Sequence, residues 1–450
     1  MGATSISISI REGAINRRIL GAAATVTAAG VIVKLAAVGK EMTLAGIYGR
    51  SDAMDAYLAA ALVPSLLINL IAESMNQALA PTLIRIRETK GHVPAQELLS
   101  NAMLWACGLL VLVSAAMALC ARSIFSLMAS HFGPAKMSLA IHLFYPLLAA
   151  VLLTGIASNC TAVLNSVERF VLPAIVPVTT SLTIIGCSLL FSARIGIWAI
   201  VYGSLTGTLI QAVWLGWLTD GSGYRFRLRW YGMNAATREV AHQFGPVLLS
   251  SLVASGGLLV DQSMAAMLPA GSVSALAYAT RSVSVAVALL AGAVSSALTP
   301  YLSSMAARED WSGCRKTVRD WTRMMAFVSV PLAAILIAAS HFLVRLTLEH
   351  GRFGPKDTAV VTQVMIMSAI QIPFFVCSRV FYRLILAMRR TDLIFYCGLL
   401  NLILDIFLNL VLMRRFGVAG IALATSLWCM TTFIFLWCWS HKLLSAKCGD

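Results

Sequence analysis

The sequence predicts an all-α polytopic membrane protein, with twelve transmembrane helices in two six-helix lobes related by a pseudo-twofold repeat. Three observations carry that expectation. Of the 450 residues, 59% are hydrophobic and only 12% are charged, about half the charged share of soluble domains. The apolar residues run in continuous stretches of about 20, enough to cross a bilayer as a helix and unlike the alternation of a membrane barrel. Matched landmarks also recur at a nearly constant offset: QALAP (77–81) returns as SALTP (296–300), and RIGIWAI (194–200) as RFGVAGI (415–421). Pro81 and Pro300 are 219 residues apart, and Gly196 and Gly417 are 221 apart. Chance likeness between apolar helices is the alternative to a duplication.

The elements follow in order. A first span over 19–38 follows Arg11, Arg17 and Arg18; it is too long for a signal peptide and no cleavage signal follows. The second, 54–80, carries Pro64 and ends before Pro81. The third, 99–120, follows a charged stretch with Arg85, Arg87 and Lys90. The fourth, 138–164, opens after Lys136; the fifth, 171–192, after Arg169; the sixth, 196–218, after Arg194. An Arg-rich segment, 221–242, links the expected N-terminal lobe (1–220) to the C-terminal lobe (243–450). There the seventh and eighth spans cover 243–268 and 273–302. The ninth, 322–344, follows Arg315, Lys316 and Arg319, and the tenth covers 359–386. The eleventh, 393–413, follows Arg389 and Arg390, and the twelfth covers 418–440. Prolines inside spans mark kinks or helix starts.

A net charge of +15 would suggest nucleic acid in a soluble protein. Here the basic residues sit mostly between apolar runs and set orientation. With a cytoplasmic N-terminus, twenty Lys and Arg fall in cytoplasmic segments and ten in outer loops. Both termini are therefore expected in the cytoplasm, and no nucleic-acid partner is expected. The ten cysteines are scattered, with no CxxC pair, so neither a zinc site nor a disulfide framework is indicated. No Walker A loop, GxSxG or HExxH appears, which points to a transporter and not an enzyme. Energy would then come from an ion gradient or the membrane potential.

Ionisable groups within spans cost several kcal/mol, about 2.5–3.5 on insertion scales, unless they face water or a partner. Lys34, Glu73, Asp261, Arg281, Arg379, Arg383 and Asp405 are such groups. Ser65, Asn69, Glu73 and Asn76 recur at helical spacing and share one face. Lys34, Lys40, Asn69, Glu73 and Arg281 are expected to line one cavity, where the cations would attract a phosphate-bearing head group. The alternative is a helix-packing pair between Lys34 and Glu73. Asp261, Asn401 and Asp405, with the hydroxyl of Thr425, suit a hard cation such as sodium. Its alternatives are a protonated Asp405, or Asp261 paired with Arg379 or Arg383. Those two arginines, four apart, would also suit snorkelling to lipid phosphates.

The stretch KEMTLAGIYGRSDAMDAYLAAALVPSLLINLIAESMNQALAPTL (40–83) resembles the start of MurJ/MviN-type lipid II flippases. The shared features are Lys40–Glu41, Gly49 through Asp55-Ala56-Tyr57, Pro64 with Leu66-Leu67, Ala72-Glu73, and Ala78 to Pro81. The likeness continues at FYPLL (144–148), VLNSVERFVLPAIVP (163–177), FGPVLLS (244–250), GSVSALAYATR (271–281), HGRF (350–353) and FGVAGIALATS (416–426). The resemblance implies a multidrug/oligosaccharidyl-lipid/polysaccharide exporter-type fold around a cationic cavity. It implies flipping of an undecaprenyl-pyrophosphate-linked saccharide, foremost the peptidoglycan precursor lipid II, across the bacterial inner membrane by alternating access. By position, Lys34, Lys40 and Arg281 match family cavity cations, Asp55 and Glu73 its acidic positions, and Asp261, Asn401 and Asp405 a sodium site. No other cofactor is implied. Implied partners are the lipid-linked saccharide, membrane lipids and cell-wall synthesis proteins; a monomer suffices.

Two departures stand out. Ile68 and Asn69 occupy the place of a usual Arg-Arg pair, and twelve spans stand where many members have fourteen. A flippase for another polyprenyl-linked polysaccharide and a MATE-like small-molecule antiporter are the competing readings. An acidic, aromatic-lined cavity would favour the antiporter. A non-transporting scaffold fits the intramembrane charges poorly.

Overall fold

The structure, a computed structural model, describes residues 25, 28–129, 131–167, 169–224, 229–388 and 390–448. Arg11, Arg17, Arg18, Arg225, Arg227 and Arg389, and the start of the expected first span, lie outside the described residues. Helix α1 covers 28–48. Eleven further helices among the described residues are long and apolar enough to cross a membrane. They are α2 (Asp52–Lys90), α3 (His92–Leu119), α4 (Pro134–Ser166), α5 (Val171–Ile195), α6 (Trp198–Asp220) and α7 (Ala235–Ala266). The rest are α8 (Ser272–Ala307), α9 (Trp311–Leu348), α10 (Pro355–Ala387), α11 (Thr391–Phe416) and α12 (Val418–Cys448). The all-helical polytopic architecture is thus the one expected from the apolar runs.

Several helices overrun their expected ends. α1 continues ten residues past Val38 to Tyr48, carrying Lys40 and Glu41 inside the helix. α9 has 38 residues, about 57 Å at 1.5 Å per residue against about 30 Å of hydrocarbon. Its extra turns carry Arg315, Lys316 and Arg319. Hydropathy marks only the part of a helix that lipid surrounds; backbone hydrogen bonding continues beyond it. Asp310 starts α9, its carboxylate accepting the Gly313 N–H at 2.8 Å, an ordinary N-cap.

The repeat is visible in the backbone. Gly196, between α5 and α6, has φ 58° and ψ −134°; Gly417, between α11 and α12, has φ 56° and ψ −136°. In both corners the glycine N–H donates four residues back, to Ser192 and to Met413, each at 2.9 Å. A left-handed backbone of this kind favours glycine, so one turn chemistry serves both halves.

The chain forms two compact units. The first comprises Met1–Thr43, Val63–Ala121 and His142–Leu249; the second comprises Leu44–Leu62, Arg122–Ile141 and Ser250–Asp450. In the first, α5 and α6 pack closely because Gly203 and Gly207 present no side chain. A Cβ on Gly203 would lie 2.8 Å from the Ile184 Cα. The close approach lets the Thr183 hydroxyl donate to the Gly203 carbonyl at 2.8 Å, the small-residue packing typical of membrane helices. Asn101 of α3 holds the segment before α7. Its amide donates to the Gly232 carbonyl at 2.9 Å and accepts the Tyr231 N–H at 2.8 Å. In the second unit, α10 packs on α8, α9 and α12, and α11 packs on α12.

Candidate functional site

α2 is helical throughout, but Ile68–Glu73 forms one π-helical turn. A π turn widens the ring and leaves carbonyls for other partners. The Ser158 hydroxyl of α4 takes one of them, donating to Ala72 O at 3.0 Å, and the Asn76 amide donates to Ser158 O at 3.3 Å. The turn spans Asn69 and Glu73. Ser65, Asn69, Glu73 and Gln77 are exposed, while Leu66, Leu67, Ile71, Ala72 and Met75 are buried. A helix at membrane depth that bares its polar face has that face in water, because lipid would penalise it. Lys34 on α1 is also exposed and makes no ion pair with Glu73 or any other described residue. Lys40 instead pairs with its neighbour Glu41 at 3.1 Å.

Asp55 belongs to the second unit and is 1% exposed. Its carboxylate accepts the backbone N–H groups of Gly271 at 2.6 Å and Ser274 at 2.9 Å, at the start of α8. α8 has no cap from its own N-cap residue, so Asp55 caps it from across the chain and meets its positive dipole end. Lys136 donates to Asp55 at 3.0 Å and to Asp52 at 2.8 Å. Arg50 donates from Nε to the Gly271 carbonyl at 2.9 Å and from Nη1 to Asp357 at 3.2 Å. The Tyr278 hydroxyl donates to Gly49 O at 3.3 Å, and the Arg352 N–H to Gly46 O at 2.9 Å. Together these bonds tie the α1–α2 corner to the starts of α8 and α10. Tyr278 is therefore turned inward, while Arg281 and Ser284, three and six residues on, are exposed.

α7, α11 and α12 bring Asp261, Asp405, Asn409 and Thr425 together. The Asn409 amide donates to Asp261 at 2.8 Å and to Asp405 at 3.2 Å, and the Thr425 hydroxyl donates to Asp261 at 3.2 Å. Asp405 Oδ2 and Asn409 Oδ1 are buried without a hydrogen-bond partner. Two orphaned oxygens beside a second carboxylate fit the oxygen-only coordination of a hard cation. Asn401, expected in this group, turns elsewhere: its carbonyl accepts the Thr432 hydroxyl at 2.9 Å. It borders a cavity of about 510 Å³ that Asp405 also borders. Asn409, one turn beyond Asp405, is the amide that joins the carboxylates. Neither Arg379 nor Arg383 pairs with Asp261 among the described residues.

Known proteins share this framework. The family model described as Lipid II flippase MurJ matches residues 44–448. A probable lipid II flippase MurJ of Buchnera aphidicola is 24% identical over 91% of this chain and 80% of its own. A counterpart in Synechocystis is 24% identical over 97% and 84%. The lipid II flippase MurJ of Burkholderia cenocepacia is 26% identical over 76% and 67%. Among solved structures, a lipid II flippase MurJ in an inward closed conformation superposes with a TM-score of 0.80 at 22% identity, covering 91% of this chain and 86% of that one. An inward-facing MATE transporter reaches 0.74 at 12% identity, covering 93% and 96%.

Proposed function

The chain belongs to the MurJ family of lipid II flippases, and from that premise we propose that it flips lipid II across the bacterial inner membrane by alternating access. The observation that carries the reading is the exposed polar stripe of Ser65, Asn69 and Glu73, together with an exposed Lys34 that makes no ion pair among the described residues. Such groups at bilayer depth need a watered path, and a lysine there suits a pyrophosphate. Side chains at these positions hold charge and hydrogen bonds for a polar head group while lipid tails stay in the bilayer. No bond is made or broken in the cargo, so no catalytic group is needed.

The Asp55 cluster acts as a gate within the second unit. Its bonds must break before the α1–α2 corner can part from the starts of α8 and α10, so Asp55, Arg50 and Lys136 set the weight of the present arrangement. Both termini lie in the cytoplasm in this reading, as the Lys and Arg distribution supports. Asp261, Asp405, Asn409 and Thr425 would hold a sodium ion, which would supply the gradient energy for resetting the cycle. The family assignment favours this over a MATE-like antiporter. The test is rescue of cells depleted of their lipid II flippase. Growth with the wild-type gene and lysis with Lys34→Gln plus Glu73→Gln support the assignment; failure of the wild-type gene to rescue despite normal membrane insertion contradicts it.

A further inference from the structure

Ser65, Asn69, Glu73 and Gln77 of α2 are exposed, and every residue between them is buried or half-buried. The spacing is four throughout. On a uniform α-helix each residue turns by about 100°, so each step of four overshoots by about 40°. Three such steps would put Gln77 about 120° away from Ser65, on another face. Asn76 would instead complete the row, to within about 20° of Ser65. In the structure Gln77 is exposed and Asn76 is half-buried, so α2 takes up one residue between Ser65 and Gln77. The π turn at Ile68–Glu73 is where it does so. Its hydrogen bonds close one residue later than those of an α-helix, which is worth about 100° of rotation. The contacts of the turn converge on Ser158 of α4. The Ser158 hydroxyl donates to Ala72 O at 3.0 Å and accepts the Asn76 amide at 3.4 Å, and the Ser158 carbonyl accepts the same amide at 3.3 Å. Ser158 is 6% exposed and Ala72 1%, so water does not compete for these bonds. Farther along α2, Arg87 donates to Ser166 O at 2.6 Å, which fixes the C-terminal half of α2 to the same helix.

We propose that Ser158 is a positioning residue for the cargo: by holding the π turn it keeps Ser65 and Asn69 in line with Glu73 and Gln77, as one unbroken row of hydrogen-bonding groups for a polar head group. The inference rests on the watered-path reading above. One serine occupies the Ala72 carbonyl and holds Asn76 out of the row. Without its hydroxyl the turn loses that partner in a buried place, which favours return to the α-helix. The half of α2 held by Arg87 keeps Gln77 on its face, so the other half turns. Leu66, 5% exposed in the wild type, then comes to within about 20° of the Gln77 face while Ser65 leaves it. An apolar side chain interrupts the row.

The experiment places single cysteines at positions 65, 66 and 77 of the full chain, with the native cysteines replaced, and reads their labelling in vesicles by a membrane-impermeant methanethiosulfonate. With Ser158 intact, 65 and 77 react and 66 is silent. In Ser158→Ala, labelling moves from 65 to 66 while 77 is unchanged, and flipping of fluorescent lipid II slows. Deleting Leu70 from that variant removes the extra residue, and labelling returns to 65. A general loss of structure would neither move reactivity by one residue nor be repaired by a deletion. A Ser158→Ala protein that inserts and keeps 65 reactive and 66 silent overturns the proposal. So does the one-residue move with an unchanged flipping rate. If Ser158→Ala fails to insert, deletion of Leu70 with Ser158 intact decides: a reactive 65 supports a one-residue insertion in the turn, and a silent 65 overturns it. Silence at both 65 and 77 with Ser158 intact removes the watered-path reading and this inference with it; that pattern is distinct from a reactive row indifferent to Ser158.

Discussion

The Asp55 cluster and the polar face of α2 are built from the same residue types and treat them in opposite ways. Asp55 is buried, with both carboxylate oxygens accepting backbone N–H groups and a lysine beside it. Glu73, eighteen residues on along the same helix, is exposed and makes no ion pair among the described residues, and the same holds for Lys34. A satisfied buried charge holds one arrangement of the chain, whereas an unsatisfied exposed charge is available to a ligand. In the proposed function the first group accordingly serves conformational control and the second the cargo. Substitutions should accordingly change stability in one region and transport in the other.

The largest effect is expected at Asp55. Asp55→Ala strands two amides at the start of α8 and leaves Lys136 with only Asp52, which should destabilise this arrangement by about 3–5 kcal/mol. Thermal unfolding in detergent would show it as a lower midpoint; an unchanged midpoint would remove the gate from the account. Gly271→Ala comes next. Gly271 has φ +83°, and a Cβ there would stand 2.9 Å from the Arg50 carbonyl oxygen. A cost of about 1–3 kcal/mol follows from strain at a positive φ, read by the same melt.

The Arg50–Asp357 pair is smaller. A double-mutant cycle with Arg50→Ala and Asp357→Ala should give a coupling of about 1 kcal/mol, since the pair is only partly screened from water. A coupling near zero would show that Arg50 acts through Gly271 alone. The smallest stability effect belongs to Lys34→Gln and Asn69→Ala, each within about 0.5 kcal/mol of wild type. Both should nevertheless slow flipping of fluorescent lipid II in proteoliposomes. A large loss of stability in either would mean that the stripe is packing and not a path.

Much of this contrast could be read from residues alone, and the rest fails for identifiable reasons. Continuous apolar runs locate the helices because the hydrocarbon thickness sets a minimum length. They misplace the end of α1 and the start of α9, where the extra turns carry charge. The spacing of Ser65, Asn69 and Glu73 marks a shared face correctly. It gives no hint of the π turn from Ile68 to Glu73, because the wider ring depends on a tertiary donor, Ser158, 86 residues beyond Ala72. Asp261, Asp405 and Thr425 are recognisable as oxygen donors within spans. That Asn409 bridges the carboxylates while Asn401 bonds Thr432 follows from how α11 is rotated against α12, which periodicity does not specify. Arg50 and Lys136 look like ordinary loop cations; their partners lie 221 and 81 residues away in sequence.

The central claim is that the polar face of α2 lines water that receives a pyrophosphate-linked lipid. Its most direct test is thiol accessibility in a background with the native cysteines replaced. A cysteine at Asn69 should react with a membrane-impermeant methanethiosulfonate, and lipid II should block the reaction. A cysteine at Leu189, 65% exposed on an apolar face of α5, should stay silent in the same vesicles. Silence at both positions would place the stripe against lipid or protein, and labelling at Asn69 that lipid II leaves untouched would put water but no cargo on it; either result contradicts the account.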